Sequence, residues 1–305
     1  MAQAANWVDL LDPTEQELRD KLPQDIHESA LELLCAPAQH EDEPRPRLDG
    51  QGSYVFGIFL VAVAVPEEDS VYYQEIDLIM TKASLLTVRK TPERGKPFDV
   101  SPLMKSVRDT DSVGMVAYRI IDQIAEAYLD LIDDLNGEIE ELEDNIEAWK
   151  PQRIRERISK LRHDMLHIRR TLAPIRDAVR EVVDNRVDVE DDTLFPHSVE
   201  IAFGSAYDKL LRASEGLDFS RDLLGGVRDY YLAKVANDQN EVMKRLTVVA
   251  SLLLVPTFIV GLYGQNFLHI PEIRFLGGWG YLWSWGWILA TTAAQLVYFR
   301  RKGWI

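Results

Sequence analysis

The chain has 305 residues, 46% of them hydrophobic, with 34 Lys and Arg against 50 Asp and Glu, a formal charge of −16. That excess of acid excludes a general nucleic-acid binder, which needs a basic face, and the apolar fraction excludes a disordered tail. A single cysteine, Cys35, excludes an internal disulfide framework and a cysteine-based zinc finger.

The mean hydropathy of −0.17 is that of an ordinary soluble protein, but the average hides a division. Residues 246–305 set Glu272 against Arg274, Arg300, Arg301 and Lys302, a net +3, so residues 1–245 carry −19. A strongly acidic head precedes a nearly uncharged, apolar tail.

In chain order, the first residues (MAQAANWVDLLDPT) lack a basic stretch followed by an apolar core, so no secretory signal is read. Residues 14–34 space Leu18, Leu22, Ile26, Leu31 and Leu34 as a helix after Pro13, and residues 41–50, with Pro44, Pro46 and Gly50, read as a loop. Three strand-like runs follow at 54–65, 70–81 and 84–89, separated by Pro66-Glu67-Glu68-Asp69 and Lys82-Ala83. Short strands on tight turns predict an antiparallel sheet flanked by helices. There is no Gly-rich phosphate loop, no G-x-S-x-G and no H-E-x-x-H, so the head reads as an α/β core without catalytic machinery and the chain is not read as an enzyme.

From Ser112 the pattern turns helical. Val116, Ile120, Ile124, Leu131, Leu135, Ile139, Leu142 and Ile146 recur at helical steps, with acids such as Asp133, Glu140 and Glu147 on the exposed positions. Pro151 ends that helix or starts the next. Residues 152–183 form a second amphipathic helix rich in Arg, and acidic and basic helices in succession predict an antiparallel hairpin with complementary faces. His163 and His167, four apart, could ligate a metal, but no carboxylate or Cys is placed beside them and a solvated face is preferred. Residues 188–192 read as a loop. A third helical pattern starts near Pro196 and carries Leu210, Leu217, Leu224, Tyr231 and Val235 into the apolar segment. Continuous to Tyr263, it spans about 65 residues, roughly 100 Å, as a stalk. Gly225-Gly226 is its weak point, at about 1 kcal/mol per glycine, where a bend is expected to be easiest.

Residues 246–263 and 279–299 are 18 and 21 residues long and uncharged, enough to cross about 30 Å of hydrocarbon. Lys244-Arg245 and Arg300-Arg301-Lys302 flank them on one side, and basic flanks favour the cytoplasm. The expected organisation is an α/β cytosolic domain (1–110), its helical hairpin (111–195), a stalk (196–245), two spans in the cell membrane (246–263 and 279–299), an outer loop (264–278) and a basic cytosolic tail (300–305), with both termini cytoplasmic. Trp279, Tyr281, Trp283, Trp285 and Trp287 suit the outer membrane–water boundary. Two helices cannot enclose a polar path, so a transport reading requires a closed ring of identical chains. On the first span Asn240, Met243, Leu246, Ala250, Leu254, Thr257, Gly261 and Gly264 recur at three- and four-residue steps, near one face. Periodicity alone leaves two readings of this stripe, a small-residue packing seam and a pore lining.

At Tyr263-Gly264-Gln265-Asn266-Phe267 the sequence resembles the CorA family of divalent-cation channels, whose signature at that place is Gly-Met-Asn. The resemblance extends upstream through Asp229-Tyr230-Tyr231-Leu232, Asn237, Asn240 to Lys244, Leu246-Thr247, Pro256-Thr257-Phe258 and Gly261, and downstream through Ile270-Pro271-Glu272. Elsewhere the match is one of layout. The resemblance implies an α+β cytosolic head, a long stalk helix and two C-terminal transmembrane helices in a funnel-shaped homopentamer. It implies Mg²⁺ as the usual substrate, with Co²⁺ or Ni²⁺ carried by relatives and Zn²⁺ by one branch. It places Gly264, Gln265 and Asn266 at the outer filter, and Ala250, Leu254, Thr257 and Gly261 along the pore. Met243 and Leu246 become the hydrophobic gate, with Asn240 at its inner side. Asp229 becomes part of a regulatory Mg²⁺ site between subunits, its partner in the head unassigned. Gln265 stands where the signature has Met, and Leu268 where many relatives have an acid, leaving Glu272 as the loop's carboxylate; His269 reads as incidental.

The chemistry fits the resemblance. Mg²⁺ gives up its waters reluctantly, and a ring of Asn266 amide oxygens would hydrogen-bond those waters while holding the ion weakly enough to release it. The membrane potential supplies about 2.3 kcal/mol per charge per 100 mV, about twice that for a divalent ion. Mg²⁺ bound between heads of −19 each would offset their repulsion and favour a closed state. Two other functions stay open: a carrier of Zn²⁺ or another divalent ion, because of Gln265, and a non-conducting membrane-anchored cation sensor or scaffold.

Overall fold

The computed structural model describes residues 6–23, 26–38, 43–65, 70–93, 95–108, 110–190, 193–265 and 279–305. The chain forms two compact units, Met1–Arg228 and Asp229–Ile305. The first contains strand β1 (Asn6–Leu11), helices α1 (Glu15–Arg19) and α2 (Glu28–Cys35), and strands β2 (Arg47–Gly50), β3 (Val55–Val65), β4 (Ser70–Met80) and β5 (Ser84–Arg89). Helices α3 (Ser101–Ser106), α4 (Val113–Asp144) and α5 (Pro151–Val183) follow, and then α6 (His197–Tyr263), which continues into the second unit; α7 (Gly280–Arg301) completes the chain.

The strands lie in the order β1-β5-β4-β3-β2. β2, β3, β4 and β5 pair antiparallel, as the three predicted runs require. The sheet is nevertheless mixed, because β1, which the sequence reading left out, pairs parallel with β5. Its place is held by side chains distant in sequence: Trp7 Nε1 donates to Thr87 Oγ1 at 3.1 Å, and the Arg89 guanidinium holds the Asp9 carboxylate through two nitrogens at 2.6–3.1 Å. The loop expected over 41–50 is corrected in its second half. Residues 41–42 lie outside the described residues, but 47–50 form β2, because Leu48 is 2% exposed and the edge of β3 gains ladder partners from Arg47↔Ile58 to Gly50↔Val55. The helix expected over 14–34 is two helices. Pro23 lacks an N–H and holds the preceding residue extended; α1 stops at Arg19, and α2 restarts behind His27, whose ring Nδ1 accepts from the Ser29 N–H at 3.2 Å.

Leu18, Leu31 and Leu34 of α1 and α2 form one core with Tyr54, Phe56, Ile58, Ile79, Leu86 and Val88 of the sheet. Lys90, just after β5, is buried beneath α2, where its Nζ donates to the Leu33 carbonyl at 2.8 Å and to Glu75 Oε1 at 2.5 Å and stands 3.4 Å from Asp77 Oδ2. α4 packs against β3, and the fully buried Tyr128 fixes it there: its hydroxyl donates to the Leu60 carbonyl at 2.8 Å and lies 2.8 Å from Thr171 Oγ1 on α5.

Pro151 starts α5 rather than ending α4, as suits a residue whose missing N–H costs nothing in a first turn. The acidic and basic helices meet through Glu138 and Arg157 at 2.7 Å. α6 is tied to α4 by Lys209, whose ammonium lies 2.7 Å from Asp122 and 2.5 Å from Glu126. The predicted third helix of about 65 residues is observed at 67, continuous through Gly225-Gly226.

Candidate functional site

The second unit is built from the C-terminal part of α6 and from α7. Within α6 an 18-residue window reaches a mean hydropathy of 2.2, and α6 is the one helix among the described residues both long and apolar enough to cross a membrane. α7 has the length, at 22 residues, but Trp283, Trp285, Trp287 and Tyr281 lower its hydropathy; such rings prefer the interface to the hydrocarbon.

The two helices meet along one line. Gln295 Nε2 of α7 donates to the Ser251 carbonyl of α6 at 3.3 Å. Val248 on α6 and Phe299 on α7 are 5% and 6% exposed. At about 100° per residue, Val248, Ser251 and Val255 share one face of α6, while Met243, Ala250, Leu254, Thr257 and Gly261 cluster more than a quarter-turn away. From Met243 to Gly261 the predicted stripe therefore lies off the seam between the two helices of one chain, while Asn240, about 20° from Ser251, lies on the side of α7. Its large members are open, with Met243, Leu246 and Leu254 59%, 60% and 66% exposed, and a Cβ placed on Gly261 would meet no other atom within 4 Å.

Two grooves run along this part of α6. A shallow apolar one of about 460 Å³ is lined by Ala250, Leu253, Leu254, Thr257 and Phe258. A more polar one of about 490 Å³ is lined by Asn237, Asn240, Glu241, Met243, Lys244, Thr247 and Trp304. Of the stripe residues, Asn240 and Met243 line the polar groove and Ala250, Leu254 and Thr257 the apolar one. Gly264 closes the helix through its N–H to the Val260 carbonyl at 2.8 Å, and Gln265 follows, exposed. Asn266 and Glu272 lie outside the described residues. Asp229 is exposed on α6, and among the described residues no cluster of three or more His, Cys, Asp or Glu is placed to hold a metal. The rings of His163 and His167 stand 4.4 Å apart on α5.

What this surface offers chemically is neutral hydrogen-bond acceptors. The Thr257 hydroxyl spends its one proton on the Leu253 carbonyl at 2.7 Å, so its oxygen is left as an acceptor. Pro256, inside the helix, has no N–H to give to Leu252, whose carbonyl loses its usual helical donor, but that carbonyl lies about half a turn from the stripe and is not part of this surface. Residues 246–263 contain no charged side chain. Such a surface can receive the waters of a hydrated cation but cannot exchange protons with it. Two features escaped the sequence reading. The Gln295–Ser251 contact had a polar residue in an apolar span as its signal, and the approach of Trp304 to α6 had Gly303 as its signal.

The sequence profile of the CorA-like Mg²⁺ transporter proteins matches residues 2–301. The "Cobalt/magnesium transport protein CorA" of Thermotoga maritima is 26% identical over 292 residues, spanning 92% of this chain and 77% of that one. The protein of the same name from Methanocaldococcus jannaschii is 25% identical over 309 residues, spanning 98% and 91%. Among solved structures, the complete CorA magnesium transporter from Methanocaldococcus jannaschii superposes with a TM-score of 0.79 at 21% identity, covering 98% of this chain and 91% of that one. The fold is thus that of a full-length transporter, an α/β head and a long helix included.

Proposed function

The chain belongs to the family of CorA-like Mg²⁺ transporter proteins, and from that premise we propose that it conducts Mg²⁺, with Co²⁺ or Ni²⁺ as further substrates, across the cell membrane. At the coarser level it is a divalent-cation transporter and not an enzyme. The observation that supports the finer reading is the stripe from Met243 to Gly261, exposed on a face of α6 turned away from the Gln295–Ser251 contact and carrying no charged side chain.

One α6 helix cannot surround an ion, so the path is completed by copies of the chain around a common axis, five in the proposed assembly. In it 246–263 and 279–299 cross the bilayer, both termini lie in the cytoplasm, and Gly264, Gln265 and Asn266 form the outer filter. Met243 and Leu246 form an apolar collar that excludes water when narrow. The membrane potential drives the ion inward. Internal Mg²⁺ bound near Asp229 closes the path by offsetting repulsion among the acidic heads. Gln265, in place of the signature Met, favours one second reading, a preference for Zn²⁺ or another divalent ion.

The test is flux into liposomes holding the purified chain, under an imposed potential, with Mg²⁺, Co²⁺, Ni²⁺ and Zn²⁺ offered singly. Mg²⁺ entry that Asn266→Ala abolishes supports the proposal, and Zn²⁺ entry far exceeding Mg²⁺ entry supports the second reading. No flux of any ion leaves a membrane-anchored sensor or scaffold. Asp229→Ala should weaken closure by internal Mg²⁺; unchanged inhibition removes Asp229 from the regulatory site.

A further inference from the structure

We propose that Trp304, next to the last residue of the chain, is a positioning residue for ion passage, which backs the Asn240 amide at the inner end of the stripe. This rests on the reading of the stripe as a pore lining.

α7 stops at Arg301, Lys302 is its C-cap, and Gly303 takes φ +67°, a left-handed conformation that glycine adopts without a Cβ penalty. The Gly303 N–H then donates to the Arg300 carbonyl at 3.2 Å and the Trp304 N–H to the Phe299 carbonyl at 3.0 Å. These are the two bonds of a Schellman closure, which usually brings an apolar contact between the residue after the glycine and the last full turn. Here that contact is the indole of Trp304 stacked on Phe299, with centroids 5.7 Å apart and 17° between planes. The chain end is thereby folded back, not left trailing.

Folded back, the indole becomes one wall of the groove whose other walls are Asn237, Asn240, Glu241, Met243, Lys244 and Thr247. At about 100° per residue Asn240, Lys244 and Thr247 lie within about 60° of one another, and Asn240 is about 60° from Met243, with which it lines this groove. The Thr247 hydroxyl is committed to the Met243 carbonyl at 2.8 Å, so it is not free to donate to Asn240, and Lys244 is a flexible cation. Trp304 is the large, rigid group of the set. Asn240 is exposed and shares this groove with the indole; rotamers that swing across the groove meet the ring, which favours those that direct the amide toward the stripe, where a hydrated ion would pass.

The experiment is a double-mutant cycle on the full-length chain in liposomes, reading initial Mg²⁺ entry under an imposed potential. Trp304→Ala is expected to lower entry about fivefold, a coupling of ordinary size between neighbouring side chains. Trp304→Phe, which keeps a ring on Phe299, should restore most of it. In an Asn240→Ala background, Trp304→Ala should have no further effect. Undiminished entry in Trp304→Ala, or an equal loss with and without Asn240, overturns the assignment. A Trp304→Ala protein that elutes as a smaller assembly also overturns it, because the tryptophan then serves assembly. A parent chain that passes no Mg²⁺ refutes the conduction reading itself, a result distinct from a conducting parent indifferent to Trp304.

Discussion

Replacing Asp77 with Asn is expected to stabilise the protein and to flatten its dependence on pH. Asp77 is fully buried on β4 with Glu75 and Lys90, both nearly so. Two carboxylates therefore share one ammonium where water does not reach, and Lys90 directs its short bonds to Glu75 and to the Leu33 carbonyl. Neither Asp77 oxygen has a hydrogen-bond partner; the 3.4 Å approach of Lys90 is an ion-pair distance only. Burial pushes the Asp77 carboxyl up to about 8 and raises Glu75 as well, against the attraction of Lys90. The folded cluster thus keeps a proton that the unfolded chain releases near its ordinary value of 3.8. An acid raised in this way makes the folded state bind more protons, so stability falls as pH rises from about 4 to about 8 and then levels, by at most about 1.4 kcal/mol per pH unit. At pH 7 the ceiling is about 4 kcal/mol, and sharing of the proton with Glu75 reduces the expected gain from Asn to about 2 kcal/mol. Denaturant melts of the full-length protein in detergent, parent against variant at several pH values, isolate the effect from the remaining acids. A difference that stays constant from pH 5 to 8, or a variant less stable throughout, would refute the reasoning.

Tyr128→Phe removes the hydroxyl that reaches Leu60 and Thr171 and leaves those buried acceptors short of a donor; it should cost about 1–2 kcal/mol in the same melts. Lys209→Ala strips Asp122 and Glu126 of their common partner between α4 and α6 and should cost about 1 kcal/mol, with Lys209→Arg recovering part. Gly226→Ala adds a Cβ that meets no atom within 4 Å, so it should stabilise α6 by about 1 kcal/mol; a lowered melting temperature would mean that another copy of the chain occupies that space.

The parts of the fold legible in the sequence are those whose periodicity is long. β3, β4 and β5 agree with the predicted runs within a residue, and α4, α5 and α6 begin where Ser112, Pro151 and Pro196 indicate. β1 and β2 were not legible, because a short edge strand is fixed by its partner: Asp9 is explained only by Arg89, and Leu48 only by the core beneath it. The burial of Glu75 and Asp77 has a related cause, since it depends on the packing of α2 over Lys90. The stripe on α6 was legible as a periodicity but not as a function. The position of α7, given by Gln295 and Ser251, shows only that Met243 to Gly261 do not pack on the second helix of the same chain.

The separation of charge along the chain bears on how such a path can work. The acid is concentrated before residue 246, while 246–263 offers neutral oxygens. A carboxylate in the stripe would attract a divalent ion at 4 Å by about 8 kcal/mol at an effective dielectric constant of 20, a depth from which release is slow. The Thr257 hydroxyl oxygen instead replaces water by an acceptor of similar strength, so little is gained on entry and little is lost on leaving. On this account the head's acidity serves regulation and the stripe serves passage. Placing a carboxylate at Thr257 should then tighten ion binding while slowing conduction. The two effects are separable by measuring Mg²⁺ block and Mg²⁺ entry on one protein, and tighter block with undiminished entry would show that the stripe is not where the ion passes.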